Sequence, residues 1–190
     1  MTKTALLVAG LDRIKAWCLA NSVTIPHVEV HVVGKCDFGV CAYYRSSRID
    51  IWPGMCAAIG TAGRQWSYPG YKVDRTPYGV LAHELGHHVD GAHGPRGGAR
   101  SHGWRPADPA PLTGYCPNDN EWFAELFRLF VTNPDLLRAL RPRIYPYFAQ
   151  TWKAVETRTW REVLAGAPRQ LQAAERQINA RKPRSSGGGS

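Results

Sequence analysis

The sequence predicts an α+β fold. A small, mostly antiparallel sheet is expected to pack with a histidine-bearing helix and a second, glutamate-bearing helix, and the C-terminal half is expected to be mainly helical. Two observations predict this arrangement. Short β-branched runs of alternating polarity precede residue 77, which is typical of half-buried strands. Apolar residues at helical spacing dominate most of the segments that follow.

Length and composition fit one compact domain. The chain has 190 residues, of which 44% are hydrophobic, with seven Trp and eight Tyr. This is enough to bury one core and leaves little room for a second. We therefore expect a single domain over residues 1–181, followed by a flexible basic tail, rich in Gly and Ser, over residues 182–190.

The first part of the chain holds one helix and the predicted sheet. Helical spacing of apolar residues predicts a helix over residues 3–20. Residues 27–33 (HVEVHVV) alternate in polarity like a strand with one solvated face. Residues 40–44 and 48–52 are predicted to form a hairpin. Residues 64–74, rich in Gly and aromatics, fit either another strand or a loop.

Residues 77–90 (PYGVLAHELGHHVD) are predicted to form a helix that Thr76 caps. Residues four apart share one face of a helix, so His83 and His87 can direct two imidazoles at one point, with Glu84 one step round. Two neutral ring nitrogens at this separation suit a zinc ion. A carboxylate beside them suits a general base.

A second helix is predicted after a long, aperiodic loop at residues 91–118. A loop of this length inside a compact domain favours a functional role. The helix covers residues 121–131 (EWFAELFRLFV), with Asp119 or Asn120 as its cap. Three further helices are predicted, over residues 135–140, 148–164 and 168–180.

A catalytic zinc ion needs a third protein ligand. Glu121 and Glu125 share one face of the second helix beside an apolar stripe, where an unpaired carboxylate is costly. A metal bond for Glu121, and a hydrogen bond from a ligating imidazole to Glu125, would remove that cost. His93 is the alternative third ligand, because it continues the spacing of a three-histidine site. Glu121 is favoured, since Asp90 stands where that pattern has Gly and no Met follows the motif.

Three stretches of the chain together resemble the gluzincin group of zinc metallopeptidases: residues 83–90 (HELGHHVD), Tyr115 and residues 121–129 (EWFAELFRL). Within that group they are similar to the catalytic domain of anthrax lethal factor and to related bacterial and phage zincin-like peptidases. The resemblance covers the middle third of the chain. It implies a zincin-like fold with one catalytic Zn²⁺. It also implies ligands and catalytic groups, namely His83, His87 and Glu121 on the metal, Glu84 as the base and Tyr115 on the oxyanion.

The sequence therefore predicts a zinc-dependent endopeptidase, with Tyr115 or a histidine such as His102 stabilising the oxyanion. One alternative is a SprT-like peptidase acting on DNA-associated proteins. The basic charge favours it, but the absence of CxxC pairs and of a further downstream HxxH weakens it. Another is a non-catalytic zincin-like module that binds zinc, such as a phage structural component. Glu84 weakens that alternative, because zinc binding alone needs no base.

A protein or peptide substrate is the expected partner. The formal net charge of +9 is compatible with nucleic acid but does not require it. No segment has the length of a membrane span, and no convincing secretory signal is present. The cytoplasm is therefore the expected compartment, and a phage-encoded protein would fit the resemblance. The pattern does not predict an oligomeric state.

The cysteines do not form an obvious framework. Their odd number, five, disfavours a complete set of disulfides. Reduced, buried thiols are the expected state. A bond between Cys36 and Cys41 across a turn is the alternative.

Four residues near the motif have structural interpretations beside the chemical ones. Gly86 is expected to let a neighbouring backbone approach the helix closely. Glu125 could instead be an exposed acid paired with an arginine, either Arg128 or Arg161. His88 is expected to point away from the site and to be bonded to a partner or exposed. Asp90 could serve only as a residue of the last helical turn.

Overall fold

The computed structural model of the chain describes residues 2–58, 73–92, 100–102, 112–113, 115, 118–154, 160–163, 165 and 168–181. Within these ranges the fold is α+β, with one small sheet and mostly helical content. The predicted tail at residues 182–190 and most of residues 64–74 lie outside the described residues. None of the described helices combines the length and apolar character that crossing a membrane requires.

The sheet has three strands, β1 (His27–Val30), β2 (Ala42–Arg45) and β3 (Arg48–Ile51), in the order β1-β3-β2. Residues 46 and 47, both serines with positive φ, join β2 to β3, as a tight hairpin of right-twisted strands requires. The β2–β3 pair is antiparallel, but β1 pairs with β3 in parallel. The sheet is therefore mixed rather than mostly antiparallel, because alternation fixes the face of a strand and not its neighbour.

Three helices form the centre of the molecule: α1 (Lys3–Ala20), α2 (Pro77–Ala92) and α3 (Asp119–Thr132). The predicted cap of α2 is confirmed, since the Gly79 N–H donates to Thr76 Oγ1. The cap of α3 is Asn118, whose side chain accepts from the Glu121 N–H, rather than Asp119 or Asn120. The helix therefore begins two residues before the predicted start.

The C-terminal part is helical, as predicted, with α4 (Pro134–Leu140), α5 (Tyr145–Thr151), α6 (Trp160–Val163) and α7 (Pro168–Arg181). The prediction of one continuous helix over residues 148–164 was wrong, because α5 ends at Thr151. The side chain of Asn21 holds the backbone of Lys153 through two hydrogen bonds. This long-range pairing replaces the bonds of a continuing helix, and it has no counterpart in local spacing.

Helix α2 lies at the centre of the core. It packs against α1, α3, β2 and β3, and Leu81, Leu85 and Val89 are completely buried. A cluster of aromatic rings next to α3 fills the space between α1 and α5, with Trp17, Phe123, Phe127, Phe148 and Trp152 as its members. The central position of α2 means that groups on it are held on several sides.

The cysteine prediction was wrong in one respect. Cys41 forms a disulfide, but its partner is Cys56 and not Cys36, which is free and buried. The turn after β3 folds back on the residue before β2, where the Trp52 N–H donates to the Cys41 carbonyl. A disulfide is more typical of oxidising compartments than of the cytoplasm, so the compartment stays a prediction.

Candidate metal centre

Helices α2 and α3 come into close backbone contact at Gly86. A Cβ atom built there would lie 2.8 Å from the Cα atom of Ala124, closer than real side chains approach a backbone. The packing role predicted for Gly86 is confirmed. Because one turn of α2 and one turn of α3 meet at this point, the side chains that flank it on both helices come together.

Three side chains meet beside this crossing. His83 Nε2 lies 2.9 Å from Glu121 Oε2 and 3.1 Å from His87 Nε2, and His87 Nε2 lies 3.5 Å from Glu121 Oε2. A tetrahedral zinc ion with bonds of 2.0–2.1 Å separates its ligand atoms by about 3.3 Å. The three observed separations, 2.9, 3.1 and 3.5 Å, lie on either side of this value, so small side-chain shifts would bring the atoms to the spacing of zinc ligands.

The protonation of the His83 ring determines which ion the three converging atoms can bind. Its Nδ1 lies 2.9 Å from Glu125 Oε1, in buried surroundings, so that the ring N–H donates to a carboxylate. Nε2 of a neutral ring then carries only a lone pair. It faces a carboxylate oxygen and a second imidazole nitrogen, and three electron-rich atoms at these distances repel one another unless a proton or a metal ion lies between them. The donor set thus fits a divalent metal ion of the zinc type.

The pKa values of these groups show which charge the site favours. Burial lowers the pKa of His83, but the hydrogen bonds to Glu121 and Glu125 outweigh it and raise that pKa to about 10. Burial raises the pKa of Glu121, yet the two imidazoles outweigh it and lower that pKa to about 2. The carboxylates therefore favour positive charge at the point where the three atoms meet. In the metal-free protein, a proton on His83 supplies this positive charge.

Comparisons of the chain with protein-family models, with curated proteins and with solved structures give no match. The resemblance to gluzincin peptidases and the zincin-like fold therefore stay predictions. Function has to be inferred from the residues of the site.

Glu84 lies on the side of α2 that faces the sheet. It is buried, and it accepts a hydrogen bond from the backbone of Tyr44 in the edge strand β2. Burial raises the pKa of this carboxyl, and the charges of His83 and His87 counter that effect only in part. Glu84, His83 and His87 line one cleft, so the carboxylate is placed beside the candidate ligands as the sequence predicted.

Tyr115 borders the same cleft. Its ring centroid lies 5.7 Å from that of His83, and the side chain remains half exposed. Burial, with the charges of Glu121 and Glu84, raises the pKa of its hydroxyl. The hydroxyl therefore stays protonated at neutral pH and can donate a hydrogen bond into the cleft.

Of the other histidines near the motif, the two that the structure describes, His88 and His102, do not join this cluster. His93 lies outside the described residues, so its candidacy as third ligand stays a prediction. His102 is exposed, and no described contact brings it to the cluster. His88 points away, as expected, and is held by the Tyr44 hydroxyl and the Thr24 carbonyl.

Glu125 is almost completely buried, at 1% exposure. The interpretation as an exposed acid was wrong, although its pairing with Arg128 is present. The structure thus brings His83, His87, Glu121 and Glu125 together. Their roles as ligands and as the partner of a ligand stay predictions.

The sequence interpretation missed a polar clasp next to Glu121. The carboxylate of Asp90, at the end of α2, accepts from the N–H and the hydroxyl of Ser101, each at 2.7 Å. Ser101 is completely buried, and its Oγ also lies 2.6 Å from Asn120 Oδ1. The clasp ties the returning loop to the first turn of α3, beside the candidate ligand. The loop sequence carries no periodicity that could have indicated it.

A second group of potential ligands is present among the described residues, formed by Glu29, His31 and Asp50 of the sheet. Arg48 pairs with both acids there, with nitrogen–oxygen distances of 3.7 Å to Glu29 and 3.0 Å to Asp50. This guanidinium offsets the buried carboxylate of Asp50, and the half-exposed carboxylate of Glu29 is solvated, so the group is balanced without a metal ion. We therefore interpret the group as a salt-bridge network.

Proposed function

We propose that this chain is a zinc-dependent peptidase that hydrolyses peptide bonds, with Glu84 as the general base. The observation that supports it best is the convergence of His83, His87 and Glu121 in a cleft that Glu84 also lines. Three protein ligands with room for a fourth are typical of catalytic zinc, whereas structural zinc is closed by four.

A bound zinc ion would lower the pKa of a water molecule to about 7 and polarise a peptide carbonyl. Glu84 then accepts a proton from that water molecule while the water oxygen forms a bond to the carbonyl carbon. When the carbon–nitrogen bond breaks, Glu84 delivers the proton to the leaving amine. The raised pKa of Glu84 suits both steps, because it makes the protonated form easier to reach near neutral pH.

Tyr115 completes the proposal as the donor to the carbonyl oxygen. Negative charge develops on that oxygen in the transition state, and a fixed O–H donor in a sheltered site stabilises it. The position of Tyr115 in the same cleft as Glu84, and its protonated hydroxyl, support this role.

The cleft continues into a cavity that can take part of a substrate. This cavity has a volume of about 390 Å³. Glu84 and Tyr115 line it together with the apolar side chains of Val40, Val73 and Val80. A cavity lined by both apolar and polar side chains beside the candidate ligands can hold a side chain of the substrate next to the reacting bond.

The decisive experiment is Glu84→Gln. The matched control is Asp119→Asn, which removes an exposed carboxylate from the first turn of α3. We expect Glu84→Gln to keep its zinc and to lose about 10²- to 10⁴-fold in kcat/KM, and the control to keep both. Cleavage is read on a pooled peptide library by mass spectrometry, and zinc by competition with a chelator.

Two results would reject the proposal. Full turnover by Glu84→Gln would show that this carboxylate is not the base. Wild-type protein that binds one zinc ion and cleaves no peptide of the library would favour the non-catalytic, metal-binding alternative.

A further inference from the structure

Beyond Glu125, further buried charged side chains extend away from the candidate metal centre. Arg128 Nε lies 3.1 Å from Glu125 Oε1, and Arg128 Nη2 lies 3.2 Å from Oε2. On the far side of the same guanidinium, Nη1 lies 3.9 Å from Asp74 Oδ2. The side chains of Asp74 and Arg128 are completely buried and that of Glu125 nearly so. A continuous chain of charges thus runs from Asp74 to His83.

Such a chain is costly to bury unless its charges are matched. Burial raises the pKa of Asp74 to about 6 despite Arg128 and the hydrogen bonds from Thr76, so this carboxyl is mostly ionised at neutral pH. Two anions then share one guanidinium, and one negative charge remains. Positive charge at the other end of the chain, at His83 or on a metal ion bound to it, balances it.

Asp74 is held firmly at the start of α2. Its Oδ1 accepts from the Thr76 N–H at 2.9 Å. Its carboxylate also lies directly against Gly79, in the first turn, where a Cβ atom would collide with it. Because Gly79 has no side chain, the Asp74 carboxylate fits against it, just as the missing side chain of Gly86 allows α3 to pack close to α2.

The shape of Arg128 explains why an arginine is present. Its planar guanidinium presents donors on several edges and can meet two carboxylates in fixed directions, whereas a lysine offers one point charge. Arg128 comes from α3 and Asp74 from the start of α2. The pair thus joins the two ligand-bearing helices on the far side of Glu125 from the metal centre.

We propose that Asp74 and Arg128 are positioning residues for the metal centre. They hold the Glu125 carboxylate on Nδ1 of His83 and so fix the direction in which Nε2 presents its lone pair. The inference depends on the proposed function only in requiring that His83 binds a metal ion.

The test is a double-mutant cycle on metal affinity. Asp74→Asn keeps the size of the side chain and removes its charge, and Glu125→Gln does the same at the next step. The partners of metal-ligating histidines typically contribute 10- to 100-fold to metal affinity. We expect a loss of that size for Glu125→Gln and about tenfold for Asp74→Asn. In the Glu125→Gln background, Asp74→Asn should have less than about twofold further effect, because it acts through Glu125.

The readouts are zinc affinity by chelator competition and the visible spectrum of the Co²⁺-substituted protein, which reports the ligand field and not the stability. The matched control is Asp50→Asn, another buried acid paired with an arginine, on the sheet. It should leave both readouts unchanged. Near-UV circular dichroism checks that each variant is folded. If Asp74→Asn does not fold, Gly79→Ala, which displaces the same carboxylate, should give the same loss and spectral shift.

An unchanged affinity and Co²⁺ spectrum in the folded Asp74→Asn protein would overturn the inference, as would equal effects of Asp74→Asn in both backgrounds. Either result leaves the proposed peptidase standing if the wild type binds zinc and cleaves peptides. Conversely, a wild-type protein that cleaves no peptide, but whose variants show the expected losses of zinc affinity and the expected non-additivity, would support the positioning role of Asp74 and Arg128 and reject the peptidase.

Discussion

Replacing Gly86 by alanine tests whether the close approach of α2 and α3 builds the site. The added Cβ would lie 2.8 Å from the Cα of Ala124, whereas ordinary van der Waals contact begins at 3.4 Å. The helices would therefore have to separate by about the 0.6 Å between these two values. Metal sites tolerate changes of about 0.2 Å in ligand distance, so the displacement exceeds what the centre can absorb.

The size of the effect follows from two opposing terms. Alanine in place of glycine inside a helix stabilises by up to about 1 kcal/mol. Overpacking a well-packed contact costs about 1–3 kcal/mol. Gly91→Ala is the matched control, because the same helix carries this glycine and a Cβ there meets nothing within 4 Å. The difference in unfolding free energy between the two variants isolates the contact, and we expect about 1–3 kcal/mol.

The assays are urea unfolding of the metal-free protein and zinc affinity by chelator competition. Gly86→Ala should lose stability relative to Gly91→Ala and should bind zinc about tenfold more weakly or worse. Equal stability and equal zinc affinity of the two variants would refute the reasoning, because it would show that the helices have room to spare.

Further predictions concern single groups. Glu121→Gln should weaken zinc binding by more than the roughly 100-fold typical of an outer partner, read by the same competition. Burial raises the pKa of Glu125, but its buried arginine and His83 outweigh this and lower it to about 2. The ionised carboxylate therefore stabilises the folded, metal-free protein fully above pH 4.5, and this contribution to the free energy of unfolding, on the order of 3 kcal/mol, is lost as the pH falls towards 2. In the Glu125→Gln variant, the free energy of unfolding should depend less on pH over this range, as measured by acid unfolding. Ser101→Ala should cost about 1–3 kcal/mol in urea unfolding, because it leaves buried polar partners unsatisfied. Cys41→Ser should cost about 3 kcal/mol and make unfolding insensitive to dithiothreitol.

The helices that carry the site could be predicted because their signals are local. The start of α2 follows from Thr76 and the proline after it, and the end of α3 from Asn133 and Pro134. The meeting of His83 and His87 needs only the pitch of a helix. The placement of Glu121 followed from an energetic argument, that acids beside an apolar stripe need a partner.

The rest depends on partners distant in the chain. Alternating strands do not specify which neighbour they choose, so the parallel pairing of β1 with β3 could not be predicted. The end of α5 depends on Asn21, and the disulfide of Cys41 depends on a turn that brings Cys56 back. Asp74 and Ser101 were missed for the same reason. Each has an ordinary local sequence, and only tertiary packing places it near the site.

The clasp between Asp90 and Ser101 has a consequence for how the chain can be altered. It fixes both ends of the segment between them beside α3. Lengthening a loop whose ends are already fixed costs only about 0.6 kcal/mol per doubling of its length. An epitope or a fluorescent tag inserted between residues 94 and 99 should therefore leave zinc binding by His83, His87 and Glu121 intact. In the Ser101→Ala variant, which lacks the clasp, the same insertion should weaken zinc binding, because the clasp no longer separates the insertion from the turn of α3 that carries Glu121.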